Sequence, residues 1–248
     1  MKLINEIGYT TSNSIYLERN EMIETNNVFK VYKMGELDLE VIKDLNLSIS
    51  GGEFIAIIGP SGSGKSTVLN ILGGLDIPTR GDVIIDGVNI TDLNTTSLAH
   101  FRGEKIGFIF QSFNLIPVLS VYENIEYPLI MIQNVPPEER EKRILEVLKE
   151  VDMLDQKDKY PGQISGGQKQ RVAIARALVT NPKIVFADEP TANLDSKTAH
   201  RIIELMHKIK QDYNTTFVFA THDEKIVSSA ERLITLVDGQ ITEDKRII

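Results

Sequence analysis

The sequence predicts an α/β fold: a mostly parallel β-sheet covered on both faces by helices, with a helical block inserted into it. Three observations carry this. Phe54–Ile58 (FIAII), Ile184–Glu189 (IVFADE) and Thr215–Asp223 (TTFVFATHD) are apolar runs of strand length with few polar alternations, as in strands buried on both faces. A helical pattern precedes the second and third of them, and helices between such strands imply parallel crossovers. From Ser112 to about Tyr160 the character turns helical without a strand run.

The elements follow in order. The first twenty or so residues are polar and aperiodic. They read as an extension, residues 1–21, with Met22 as an alternative start and the globular domain over 22–248. Asn26–Tyr32 (NNVFKVY) is a strand, and Val41–Ile49 (VIKDLNLSI) alternates as a half-buried strand does. Lys33–Glu40 (KMGELDLE) between them reads as a turn with a charged rim. GEFIAIIGPSGSGKSTVLNILGGL then runs strand, glycine loop, helix. Gly81–Ile90 (GDVIIDGVNI) is a short hairpin turning at Asp86-Gly87, and Lys105–Phe110 (KIGFIF) is a further strand. Pro136-Pro137 followed by glutamates opens a helix whose Ile144, Leu148 and Val151 share one face. The helical block is read as an inserted subdomain, about residues 112–165. RVAIARAL, from Arg171, is a helix entered through Ser-Gly-Gly. No internal repeat or low-complexity segment interrupts the pattern.

Composition narrows the function classes. The chain has 248 residues, 42% of them hydrophobic, enough for one large α/β domain or two small ones. No run approaches the ~18 apolar residues of a membrane helix. The start, MKLINEIGYTTSNS, has neither the apolar core nor the cleavage pattern of a signal peptide. Cysteine is absent, so there is no disulfide framework and no thiolate metal site. Twenty-seven basic against 35 acidic residues give a formal charge of −8, which disfavours a nucleic-acid partner. The expectation is a soluble cytoplasmic protein.

GPSGSGKST runs Gly59, Pro60, Ser61, Gly62, Ser63, Gly64, Lys65, Ser66, Thr67 and satisfies the phosphate-loop pattern between a strand and a helix. Gly62 and Gly64 let the backbone wrap phosphates, Lys65 brings a point charge to the β/γ-phosphates, and the Ser66 hydroxyl suits Mg²⁺. A nucleoside triphosphate is the expected ligand. Asp188 ends a buried strand, where such enzymes hold Mg²⁺. Glu189 follows it directly. A second carboxylate beside phosphates is repelled by them, so a general base or water-orienting group is the sharper reading; a surface carboxylate in a turn closed by Pro190 is the bland one. His222 ends a strand, where parallel sheets present ligands. His100, His200 and His207 read as structural. Gln111 occupies a similar terminus, where a loop amide and a ligand fit equally.

Ile164–Arg171 (ISGGQKQR) is a second anion-directed helix entrance. With the phosphate loop, the terminal glutamine, ADE, NLD and THD in this order, the chain resembles the ATP-binding-cassette (ABC) ATPases from about Met22 onward. That resemblance implies an antiparallel β subdomain beside the parallel core and an inserted helical subdomain. It implies two copies packed head to tail, each ATP lying between the phosphate loop of one and the signature loop of the other. Ser165, Gly166, Gly167 and Gln168 would then serve the partner's site. By the same resemblance Tyr32 stacks on adenine, unless it is an ordinary strand tyrosine. Gln111 senses Mg²⁺ and the attacking water while touching the membrane subunit, Asp195 crosses the dimer interface, and His222 contacts the γ-phosphate. Ile164 replaces the usual leucine and Ala192 stands where relatives often carry glycine; neither puts hydrolysis in doubt.

Segments such as YKMGELDLEVIKDLNL, GFIFQSFNLIP and ADEPTANLDS look like the lipoprotein-releasing, macrolide-export and cell-division group. The resemblance implies a separate four-span membrane subunit that places the chain on the inner face of the membrane. It also implies export, lipoprotein release or antimicrobial-peptide resistance, or alternatively FtsE-like regulation of cell-wall hydrolases. A soluble cassette of DNA repair or translation fits less well, because those usually carry coiled-coil insertions, zinc cysteines or fused cassettes. Phe113, Asn114 and Leu115, an aromatic and a leucine in an otherwise polar loop, fit equally a docking patch near the groove that receives a helix of the membrane subunit and a local core contact.

Overall fold

The structure, a computed structural model, describes residues 21–35 and 37–247. The extension therefore lies outside the described residues, except Glu21, which is the first residue of β1, opposite Ser50. β1 (Glu21–Met34), β2 (Leu37–Ser50), β4 (Arg80–Ile85) and β5 (Val88–Asn89) form an antiparallel sheet in the order β2-β1-β4-β5. The expected turn over Lys33–Glu40 is much shorter. Met34 pairs with Leu37, and Leu37–Glu40 belong to β2. All four of those residues are exposed on an edge strand, although Leu37 and Leu39 alternate with Asp38 and Glu40 as strand residues do.

The second sheet contains β3 (Phe54–Ile58), β6 (Ile106–Ile109), β7 (Ile184–Asp188), β8 (Thr216–Ala220), β9 (Arg232–Val237) and β10 (Gln240–Arg246), ordered β10-β9-β3-β8-β7-β6. All its pairings are parallel except the edge pair β9–β10. Alternate residues of the central strands feed two cores. Phe54, Val185, Ala187, Phe217 and Phe219 pack on the side of the large helices, and Ile55, Ile57, Ile184, Phe186 and Val218 face the antiparallel sheet. Both faces are dry, which is why these strands read as unbroken apolar runs.

The helices are α1 (Lys65–Leu72), α2 (Thr95–Lys105), α3 (Val121–Met131), α4 (Pro137–Glu150), α5 (Gly166–Leu178), α6 (Ser196–Tyr213) and α7 (Glu224–Ser229). α3 and α4 form the block between β6 and α5. α3 starts in a Ser120/Glu123 capping box, with the donor and acceptor groups satisfied reciprocally. Buried Asn124 bonds the backbone of Ile116, Leu119 and Ser120 and so fixes the loop before it. Ile144, Leu148 and Val151 are buried as expected, in the same core as the sheet. Unforeseen were α2, whose buried residues are Leu98 and Gly103, and the β9–β10 hairpin.

Candidate functional site

After Ile58 the chain turns through Gly59, Gly62 and Gly64, with φ of 149°, 80° and 101°. A Cβ on Gly59 would sit 2.0 Å from the Leu236 carbonyl oxygen, so only glycine fits. α1 begins directly afterwards, and its N-cap, Gly64, offers no side-chain acceptor. The N-termini of α5 and α6 are capped by Ser165 and Asp195. The first N–H groups of α1 are thus left for an anion. Lys65 Nζ donates to the carbonyls of Gly59 and Pro60, 2.9 Å each, which holds the ammonium inside the loop it must serve.

This loop floors a cleft of about 690 Å³. Ser61, Ser66 and Thr67 line it, together with Gln111, Asp188, Glu189 and His222 from the carboxyl ends of β6, β7 and β8; Ser63 is buried beneath. The sheet topology therefore gathers in one place residues that stand far apart in the chain. Ser66 Oγ donates to Asp188 Oδ1 at 3.1 Å. Burial pushes the Asp188 carboxyl up, and neighbouring Glu189 adds to this, against the Ser66 hydrogen bond and the Lys65 charge. Such an oxygen pair fits a small hard cation that keeps waters and takes its other ligands from phosphate. Among the described residues no cluster of three or more His, Cys, Asp or Glu forms a self-sufficient metal cage.

Glu189 has φ +45°, a conformation that a few per cent of non-glycine residues adopt, with Asn and Asp favoured over Glu. Its N–H is bonded to Ala220 O at 2.9 Å, and its carboxylate accepts from Thr221 Oγ1 at 3.0 Å. The other oxygen lies 2.6 Å from His222 Nδ1. A carboxylate only accepts, so this ring nitrogen carries the proton. Glu189 is mostly covered, whereas the His222 side chain is 78% exposed at the cleft mouth. Gln111 is exposed too, and its carbonyl accepts from Asn193 Nδ2.

The signature segment does not join this cleft. Ser165 and Gln168 form a capping box, with Ser165 Oγ accepting from Gln168 N and Gln168 Oε1 from Ser165 N. The Ser165 hydroxyl proton stays free to be donated. Gly167 is packed so closely that a Cβ would meet Thr198 Cγ2 at 2.5 Å. Asp195, through bonds to Lys197 N, Thr198 N and Thr198 Oγ1, caps α6. The Thr198 hydroxyl is the main reason its carboxyl is held low. Of the other histidines, His207 stacks on Phe54 at 3.9 Å, while exposed His100 and His200 lie near Glu104 and Glu204 one turn on; none of the three lines the cleft.

Tyr32 stands beside the cleft rather than in its lining. Its hydroxyl donates to Asp76 Oδ2 at 2.6 Å, and Lys30 Nζ, bonded to the same carboxylate, lies 4.8 Å from the ring centroid. Tyr32→Ala is expected to weaken nucleotide binding by roughly 1–3 kcal/mol if the ring stacks on the base as aromatics do on nucleic-acid bases. Tyr32→Phe keeps the ring face, and the hydrogen bond it loses goes to Asp76 within the chain, so nucleotide binding should be nearly unchanged. Equal damage from both, in a calorimetric titration with ATP, argues against stacking.

A glycine loop, an uncapped helix start and paired carboxylates at the carboxyl end of a parallel sheet define a P-loop nucleoside triphosphatase. The chain belongs to the ABC transporter family, whose pattern matches residues 42–192, and it is an ATP-binding ATPase subunit of that family. The ATP-binding cassette MJ0796 of Methanocaldococcus jannaschii, solved as a dimer in a post-hydrolysis state with ADP and Pi, superposes with a TM-score of 0.85 at 48% identity, covering 92% of this chain and 99% of that one. The macrolide export protein MacB of Bdellovibrio bacteriovorus is 43% identical over 226 residues; the match spans 91% of this chain and 34% of MacB. The lipoprotein-releasing LolD of Francisella tularensis is 42% identical over 220 residues, 89% of this chain and 95% of LolD. Among the described residues no helix is long and apolar enough to cross a membrane.

Proposed function

We propose that two copies of this chain close head to tail on two ATP molecules, and that hydrolysis drives a separate four-span membrane permease for export or lipoprotein release. The observation that carries the dimer is the separation of the two phosphate-directed elements, since Ser165–Gln168 lies outside the cleft that Gly59–Thr67 floors. A dimeric relative at 48% identity supports it. In this reading Lys65 turns from its own carbonyls to the β/γ-phosphates, and Ser66 and Asp188 hold Mg²⁺. When bound, the ion would neutralise charge on the phosphates. Glu189 takes or orients the proton of the attacking water, His222 carries the carboxylate's partner proton at the cleft mouth, and Gln111 completes the water site. The partner's Ser165 hydroxyl and the α5 N-terminus meet the γ-phosphate.

The permease side rests on MacB and LolD as relatives and on an apolar groove of about 340 Å³ between β6, α3 and α5, lined by Phe108, Phe110, Ile116, Tyr127 and Asn114. Of the three docking residues expected from sequence, Asn114 lines this groove, whereas Leu115 packs into the main core. The loop turns at Phe113 and Asn114, both at positive φ, which sends Leu115 inward. The apolar surface comes from Tyr127 on α3, 46% exposed. Placing the chain on the inner membrane face follows from this docking. The cell-division alternative uses the same ATPase and differs only in the membrane subunit. Cysteines at Asn114 and Tyr127 should cross-link to the co-expressed four-span subunit, and that subunit should stimulate ATP turnover. Failure of both in the assembled complex argues against this partner.

A further inference from the structure

Gln111 reaches the nucleotide cleft from a loop, and two other elements hold that loop by its backbone. Arg176, on α5, donates to the carbonyls of Phe113 (2.9 Å) and Asn114 (2.5 Å). Asn193, in the segment between β7 and α6, donates from Nδ2 to the carbonyl of Gln111 itself at 2.8 Å. The Asn193 segment is firm. It is folded by Ala192 N to Glu189 O and Leu194 N to Thr191 O, pinned by Thr191 Oγ1 to Asp223 at 2.7 Å, and anchored by Leu194 in the core. Two residues further on lies Asp195, and the Asn193 carbonyl stands 3.6 Å from where a Cβ on Gly166 would be.

We infer that Asn193 is a positioning residue for ATP hydrolysis: its side-chain amide fixes the Gln111 backbone, so that Gln111 takes its place in the cleft only when the Asn193–Asp195 segment is seated. The chemistry requires a donor here, because the group to be held is a carbonyl. An amide on a short stem supplies one without adding charge beside the phosphates. Just beyond Gln111, Phe113 sits at φ 61°, a conformation that a bulky side chain rarely adopts. The tethers from Arg176 and Asn193 act together with the local Phe113 N to Phe110 O and Asn114 N to Ser112 O bonds in setting where the loop sits. The tether acts within one chain, and the inference rests on the proposed function for the part Gln111 plays at the water site.

The test is steady-state ATP turnover of the purified full chain. Losing one neutral hydrogen bond in the transition state should lower kcat about two- to tenfold. Asn193→Ala should do so with KM for ATP and the melting temperature unchanged. Asn193→Asp keeps the shape but has no N–H to give, and should be at least as slow. In a double-mutant cycle, Asn193→Ala placed on Gln111→Ala should add nothing further, since it acts through that residue. Wild-type kcat in Asn193→Asp, fully additive losses in the double variant, or a KM that rises as kcat falls would each overturn the assignment. Absence of Lys65-dependent turnover in the parent chain would instead refute the hydrolytic reading, so the two failures are distinguishable.

Discussion

Lys65→Ala should reduce ATP turnover by on the order of 10²–10³, the loss typical when one preorganised charge contact to the reacting group is removed. The ammonium is held 2.9 Å from the carbonyls of both Gly59 and Pro60. It is thus held in the loop before nucleotide arrives and has only to turn from these carbonyls to the phosphates. In the alanine variant the same carbonyls face the phosphates unscreened, so repulsion is added to a lost attraction. Folding should be untouched: Lys65 starts α1, while the residues of α1 that pack are Val68, Leu69, Ile71 and Leu72. A melting curve like the parent's, with phosphate release nearly abolished, is the expected pair of results. Unchanged phosphate release rules out this role for the loop.

The phosphate loop was legible because its requirements are local. Glycine at Gly62 and Gly64, both at positive φ, an amine at Lys65 and a hydroxyl at Ser66 lie in one short stretch, and each residue type is dictated by what it must do; only the need for glycine at Gly59, set by Leu236, comes from far along the chain. Asp188, Glu189 and His222 were legible for a related reason, since strand ends in a parallel sheet point to one edge. The contacts that hold the site were not legible. Asn193 and Gln111 are 82 positions apart, Arg176 and Asn114 are 62, and Tyr32 and Asp76 are 44. Asparagine, arginine and aspartate in loops and on helix faces carry no period, so nothing in the chain announces their partners. The φ of +45° at Glu189 is likewise invisible, because it comes from a turn that Ala220 and Thr221 impose from another strand.

Low burial accounts for α2 and β10, whereas β9, RLITLV with alternate residues buried, carries a strand pattern that the sequence reading passed over. α2 buries little, so its start is marked by the Asn94 cap to Ser97 N rather than by an apolar stripe. β10 is an edge strand with exposed Glu243, Asp244, Lys245 and Arg246. There Arg232 is gripped by Asp244 and Glu53, and these bonds hold its guanidinium far above the usual range. Ion pairing replaces hydrophobic patterning in such a strand, and charge alone does not distinguish it from a loop.

Glu189→Gln should leave ATP bound and unhydrolysed, converting the protein from a monomer in ADP to a dimer in ATP. The glutamine amide can reproduce both contacts seen here, its oxygen accepting from His222 Nδ1 and its nitrogen donating to Thr221 Oγ1, whose partners in the native chain lie at 2.6 and 3.0 Å. Shape and bonding survive, while the base and one negative charge beside the phosphates are lost. Two retained ATP molecules then stabilise the closed dimer by mass action. Adding Ser165→Arg should abolish that dimer without abolishing nucleotide binding, because the cleft of the same chain does not contain Ser165. Arginine also removes the cap on α5, a loss of about 0.5–2 kcal/mol, so a second variant separates the two effects. Ser165→Asp keeps an acceptor for Gln168 N, which now bonds Ser165 Oγ at 3.3 Å, but sets a carboxylate against the partner's γ-phosphate. It too should stay monomeric in ATP, with an unchanged melting temperature. Size-exclusion chromatography with light scattering reads all three variants. A Ser165→Asp, Glu189→Gln protein that still dimerises with ATP would show that the signature loop does not complete the partner's site.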